Sequence, residues 1–69
     1  MKDAVIEIAG ENVSLTLHPS PEAAEAYATG VALECTGSSE DEVRDHLRQR
    51  DEHSEGDYRV LLASAREVV

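Results

Sequence analysis

The chain has 69 residues, 41% of them apolar, and its fifteen acidic and six basic residues give a net charge of −9. A chain this short forms one domain at most, and its charge disfavours direct binding to nucleic acid, because phosphate contacts require clustered lysine and arginine. No apolar stretch approaches the ~20 residues that span a bilayer, and anionic lipids repel an acidic surface, so we expect no membrane association.

The core must be built mainly from small aliphatic side chains, since the chain has no Phe or Trp and only two tyrosines. A chain of this size buries only about 60% of the surface that its unfolded form exposes. The single cysteine, Cys35, cannot form an internal disulfide, so a homodimer is the simplest further source of stability. One cysteine and an N-terminus without the apolar segment of a signal peptide also predict a cytoplasmic protein.

Two segments of alternating polarity predict a β-hairpin at the start of the chain. Residues 4–10 (AVIEIAG) and 12–18 (NVSLTLH) each place apolar side chains at every second position. Gly10, Glu11 and Asn12 between them are residues that tolerate the positive φ of a tight turn.

A first helix is predicted from residue 21. Ser20 suits the N-cap, Pro21 suits the first helical position, and Gly37 suits the C-terminal cap. Because Gly30 disfavours a helix, residues 29–37 (TGVALECTG) are open to a strand as the alternative. The helical stripe expected to face the sheet consists of Ala24, Tyr27, Ala28, Val31 and Cys35.

A second helix is predicted from residue 40 to about Asp51. Ser39 and Glu42 have the spacing of a capping box, in which the hydroxyl and the carboxylate each accept a hydrogen bond from a backbone N–H. Val43 and Leu47 form a narrow apolar stripe, so we expect most of the helix surface to be solvated. The following residues, 52–57 (EHSEGD), are predicted to form a loop.

The C-terminal residues 58–69 (YRVLLASAREVV) fit either a strand or a helix. We favour a strand that begins near Tyr58 and ends in a helical turn, because a two-stranded hairpin is only marginally stable without a further strand. The expected fold is therefore α+β, a single compact domain over residues 1–69. It would contain a small antiparallel sheet, made of the N-terminal hairpin and a C-terminal strand, covered by two helices.

Residues 40–57 carry eight acidic side chains and three arginines. Glu40, Arg44, Arg48 and Glu52 have the i,i+4 spacing of a ladder of ion pairs, each contributing about 0.2 to 0.5 kcal/mol. Five acids have no evident local partner, and carboxylates one helical turn apart can imitate part of the phosphate rail of DNA. These five residues are Asp41, Asp45, Asp51, Glu55 and Asp57.

No motif for catalysis, a metal or a cofactor is present. The histidines show no spacing that pairs them with Cys35 or a serine, and Cys35 is expected to be a small core residue. Residues 51–57 (DEHSEGD) lack the ligand spacing of an EF-hand or of a zinc site. We therefore expect no enzymatic activity, no metal and no cofactor.

In length, charge, α+β pattern and lack of catalytic motifs, the chain resembles the small acidic anti-CRISPR proteins of phages and mobile elements that mimic nucleic acid. The resemblance implies a stoichiometric inhibitor in the host cytoplasm that occupies the basic DNA-binding surface of a type I CRISPR effector complex and blocks target DNA binding. On this hypothesis, the contact carboxylates are Asp41, Glu42, Asp45, Asp51, Glu52, Glu55 and Asp57.

Salt adaptation is the alternative explanation of the charge. One lysine against five arginines, many acids and abundant Ala and Val are typical of a halophile, whose acidic surfaces maintain solubility at high salt. On this reading the protein is a general interaction or accessory module of a halophile or high-GC bacterium, and its acidity serves only solvation.

Overall fold

A four-stranded antiparallel sheet with two long helices against one face forms the framework of the protein. The computed structural model describes residues 1–69. The predicted α+β class is confirmed. The strands are β1 (Ala4–Ala9), β2 (Asn12–Leu17), β3 (Glu52–Glu55) and β4 (Tyr58–Ala63), and the helices are α1 (Pro21–Cys35), α2 (Glu40–Arg50) and α3 (Ala65–Val68).

The sheet has the strand order β2-β1-β4-β3, with every neighbouring pair antiparallel. The N-terminal hairpin is confirmed, and Gly10 at its turn has a φ of 63°. The C-terminal segment is a strand followed by one helical turn, as predicted, and it occupies a central position beside β1. Long-range pairing therefore joins the two ends of the chain.

The loop predicted for residues 52–57 is wrong in its first part, because Glu52–Glu55 form the edge strand β3. Gly56, with a φ of 61°, turns the chain into β4. Only His53 of this strand is buried, so the segment offers almost no hydrophobic alternation from which a strand could be recognised. Pairing with β4 decides its conformation.

Helix α1 is confirmed against the strand alternative. Ser20 is its N-cap, and the Ser20 Oγ accepts a hydrogen bond from the Ala23 N–H at 3.1 Å. The predicted stripe is partly wrong, because Tyr27 and Cys35 are exposed. The helix instead buries Ala24, Ala28, Thr29 and Ala32.

The predicted cap at Gly37 is also wrong, since α1 ends at Thr36 in an extended conformation. The Thr36 hydroxyl and backbone N–H both donate to the Ala32 carbonyl, at 2.8 and 2.9 Å. The Gly37 N–H donates instead to the Glu55 carboxylate at 2.8 Å. The backbone N–H of Gly37 is therefore bound by a side chain of β3, and Gly37 does not cap α1.

A small aliphatic core lies between the helices and the sheet. Val43 and Leu47 of α2 are fully buried there, as their spacing predicts. The alanines of α1 contribute little volume but allow the helix to approach the sheet closely. The core cluster consists of Val5, Ala24, Ala28, Ala32, Val43, Leu47, Tyr58 and Val60.

Substitution of Leu47 tests how far stability depends on this thin core. Leu47→Ala removes the largest fully buried side chain, and we expect a loss of about 2–5 kcal/mol in the free energy of unfolding. Urea denaturation followed by circular dichroism measures the change. Gln49→Ala, on the exposed side of the same helix, is the control and should leave the urea midpoint unchanged. A loss below about 1 kcal/mol for Leu47→Ala would contradict the assigned core.

Candidate partner-binding surface

The candidate surface is built on α2, whose orientation is set at its start and along its buried side. Ser39 is the N-cap, and its Oγ accepts a hydrogen bond from the Glu42 N–H at 3.2 Å. The reciprocal hydrogen bond of the predicted capping box does not form, so the Glu42 carboxylate has no capping role. With Val43 and Leu47 buried, the opposite side of the helix faces solvent.

A carboxylate on α1 binds both arginines in the middle of α2. Glu25 Oε1 accepts a hydrogen bond from Arg48 Nε at 2.9 Å, and Glu25 Oε2 accepts from Arg44 Nη1 at 3.3 Å. Arg44 Nε also donates to Glu40 at 3.0 Å. The predicted i,i+4 ladder is therefore only partly correct, since Arg48 turns to α1 and Glu52 pairs with Arg59 at 3.4 Å.

These contacts change the protonation of Glu25. The hydrogen bond from Arg48 and the positive charges of Arg48 and Arg44 hold the pKa of the Glu25 carboxyl below its ordinary value of 4.5, against a smaller opposing effect of burial. The same pairing raises the pKa of the Arg48 guanidinium. The three residues form a charged link between the two helices.

The acids on the solvent side of α2 have no cationic partner within 4 Å. We call Asp41, Glu42 and Asp45 the acidic face of α2. All three are exposed, and Asp41 and Asp45 are separated by one helical turn. Two of the three arginines of the helix are held by Glu25, and the third, Arg50, forms no ion pair, so no arginine of the helix pairs directly with the acidic face.

The other four predicted contact carboxylates lie beyond α2 and differ in their surroundings. Asp51 is paired with Lys2 at 3.6 Å, and Glu52 is paired with Arg59. Glu55 accepts the Gly37 N–H, whereas the exposed Asp57 carboxylate forms no ion pair. The structure therefore brings three of the seven candidates together on α2, and one further candidate, Asp57, is unpaired in the β3–β4 turn.

A chain of hydrogen bonds that the sequence did not predict joins the start of α2 to β3. His53 Nε2 lies 3.1 Å from Ser38 Oγ, and His53 Nδ1 lies 2.8 Å from His46 Nδ1. His53 is 2% exposed, and neither His53 nor Ser38 lines any of the three surface cavities. The cluster resembles a serine–histidine relay in connectivity but has no adjoining cavity for a substrate, so its evident effect is structural.

A second buried polar contact joins β4 to β1 on the face of the sheet that the helices cover. The Tyr58 hydroxyl donates to Glu7 Oε2 at 2.7 Å, and burial together with the Glu7 carboxylate raises the pKa of the Tyr58 phenol. Cys35 lies beside it but is exposed, so its predicted place in the core is wrong. Nowhere does the structure bring three or more His, Cys, Asp or Glu side chains together in a way that would hold a metal ion.

Comparisons with protein-family models, curated proteins and solved structures find no match for this chain. None of its helices has the length and apolar character needed to cross a membrane. Function must therefore be inferred from the surfaces of the molecule.

Substitution of Glu25 tests the charged link between the helices. Glu25→Gln leaves two arginines without their shared partner, and we expect it to lower the free energy of unfolding at neutral pH by up to about 1 kcal/mol. Because the pKa of Glu25 is lowered on folding, the stabilisation is full above pH 4.5 and is lost as the pH falls through the folded-state value. The difference between wild type and variant should accordingly shrink in acid.

Urea midpoints across this pH range measure the effect. Glu34→Gln removes the same charge from an exposed, unpaired position on α1 and is the matched control. Equal effects of the two substitutions at neutral pH would show that only net charge matters.

Proposed function

We propose that this protein is a stoichiometric, non-catalytic inhibitor that mimics nucleic acid, and that the acidic face of α2 binds a basic nucleic-acid-binding surface of a partner protein. The observation that supports this proposal is the pairing of Arg44 and Arg48 with Glu25. That pairing engages two of the three arginines of the helix internally, and the third, Arg50, forms no ion pair, so the outer carboxylates stay available to a partner.

The spacing of the acidic face suits a basic groove. Asp41 and Asp45 are separated by about 6 Å along the helix axis, close to the rise of about 7 Å over two base steps of B-DNA. Glu42 widens the row on the same side of the helix. Side chains of a partner that are arranged to contact every second phosphate of one strand therefore meet carboxylates at a similar interval along the axis.

The partner to test first is a type I CRISPR effector complex, because this is the target that the resemblance to acidic anti-CRISPR proteins implies. Occupation of its DNA channel would block target DNA binding by competition, with no cofactor. Such an inhibitor would act in the cytoplasm of the host cell.

A second candidate function has its own supporting observation. Unpaired, exposed acids also occur on other elements and are not confined to α2. This distribution favours general solvation, as in an accessory module of a halophile or high-GC bacterium. The acids concerned are Glu11, Glu22, Glu34 and Glu67.

Neutralising the acidic face tests the mimic hypothesis. The triple variant D41N/E42Q/D45N removes three negative charges with little change in shape. We expect the wild type to displace duplex DNA from a purified type I CRISPR effector complex, with an effect that weakens as salt is added. The triple variant should inhibit about tenfold less strongly or worse, as expected for the loss of three charge contacts. Electrophoretic mobility shift assays measure both effects.

The matched control is E11Q/E34Q/E67Q, which removes the same number of charges from exposed, unpaired acids elsewhere. It should inhibit about as well as the wild type. If the two triple variants lose inhibition equally, the effect comes from net charge and the assignment to α2 fails. If the wild type does not displace DNA at any salt concentration, this partner is excluded.

Removal of salt separates the two candidate functions. A protein whose acids serve salt adaptation unfolds at low ionic strength, because repulsion among the carboxylates is no longer screened. We expect this protein instead to retain its far-ultraviolet circular dichroism spectrum after dialysis from about 1 M to about 0.01 M salt. Reversible loss of the spectrum on dialysis would favour the salt-adapted module.

A further inference from the structure

The face of the sheet opposite α1 and α2 is apolar, and its aliphatic side chains on β2 are exposed. We call it the outer sheet face. Strand register places Leu15, Ile6 and Leu61 side by side in one row across β2, β1 and β4. Val13 and Ile8 begin the next row, and the outer side chains of β2 are between 45% and 67% exposed. The six large aliphatic residues of this face are Ile6, Ile8, Val13, Leu15, Leu17 and Leu61.

Strand β2 carries its apolar side chains on the side of the sheet that the helices do not cover. In a sheet with one covered face, the apolar residues point to the covered side and the polar residues point to solvent. Here the side that continues the helix-covered face carries Asn12, Ser14 and Thr16, of which Asn12 and Ser14 are exposed, and the outer side carries the exposed aliphatic residues. At β2 the outer side is therefore the more apolar of the two, as is usual for a surface that another layer covers.

The size of the face limits the strength of any interface that it forms. Four strands of up to six residues cover about 19 by 20 Å at ordinary strand spacing and rise. The accessible area exceeds this footprint because the side chains project from the sheet. Two such footprints total about 760 Å², below the ~1,200 Å² at which standard interfaces begin, so a dimer through this face should be weak and concentration-dependent.

The charge of the face favours a second copy of the chain as the occupant. Its only charged side chains are Glu52 and Arg59, which pair with each other at 3.4 Å, so the face is locally neutral in a chain of net charge −9. Two copies meet there without local repulsion. A basic partner, by contrast, finds no uncompensated carboxylate.

We propose that two copies of this protein dimerise through the outer sheet face. The sheets pack face to face about 10 Å apart around a two-fold axis, with the helices forming the outside layers. Each copy supplies the apolar cover that the other lacks. The acidic face of α2 remains exposed in both copies, because α2 lies on the opposite side of the sheet.

Sedimentation equilibrium over a range of protein concentrations tests the dimer. We expect the wild type to approach twice the 7.5 kDa mass of one chain as concentration rises. Dimerisation should strengthen with added salt, because screening reduces repulsion between two acidic chains. Binding to a basic partner through α2 should weaken with salt, so the two proposals can fail independently.

Leu15→Glu places a charge among the exposed aliphatic side chains of the proposed interface, and we expect it to remain a single chain at concentrations where the wild type is dimeric. Gln49→Glu adds the same charge on α2 and should dimerise like the wild type. Leu15→Thr, with a smaller polar side chain that favours strands, should weaken the dimer and keeps the test valid if Leu15→Glu does not fold. Circular dichroism verifies folding of each variant.

Two results would overturn the proposal. One is a wild type that stays a single chain at every concentration and salt level, including when it binds lipid vesicles or another protein through this face. The other is a dimer that persists in folded Leu15→Glu or Leu15→Thr with unchanged affinity, since the contact would then use another surface.

Discussion

Close packing of an alanine-rich helix on the sheet is the constraint on which the rest of the structure depends. Ala24, Ala28 and Ala32 of α1 have no accessible surface, and they bring the helix backbone near β1 and β4. Small side chains supply little buried area, so α2 must add Val43 and Leu47 to complete the layer. This arrangement leaves the outer sheet face without any cover from the two long helices.

The helical side of the molecule has one region of paired charges and one region of unpaired carboxylates. Glu25 is shared by Arg44 and Arg48 at the contact between α1 and α2, so attraction joins the helices where their apolar contact is thin. On the far side of α2 the carboxylates stay unpaired. Arg44 and Arg48 could have neutralised the acidic face of α2 but instead join the two helices. The negative charge of α2 is therefore concentrated on its solvent side.

The two exposed features of the protein differ in chemistry and lie on opposite sides of the sheet. The acidic face of α2 attracts cations and is sensitive to screening. The outer sheet face is apolar and almost free of charge, so association through it depends on removal of water from aliphatic surface. Because the two surfaces lie on opposite sides of the sheet, the proposed dimer and the proposed binding of a basic partner would not compete.

The sequence by itself determined the features that depend on neighbouring residues. Alternating polarity predicted the N-terminal hairpin, and caps at Ser20 and Ser39 predicted the starts of both long helices, because these signals act within a few residues. The sequence also predicted that Val43 and Leu47 would be buried, and it shows directly that residues 40–57 are rich in acidic side chains. Whether the predicted carboxylates bind a partner stays a prediction.

Only the tertiary structure decided the features that depend on contacts across the fold. Strand β3 exists because β4 supplies its hydrogen-bond partners, and Arg48 turns to Glu25 because α1 lies beside α2. The hydrogen bonds among Ser38, His46 and His53 join residues up to fifteen positions apart. The sequence also did not determine which side of the sheet the helices cover, because both faces of β1 are largely apolar. Only the packing of the helices decides which face is covered.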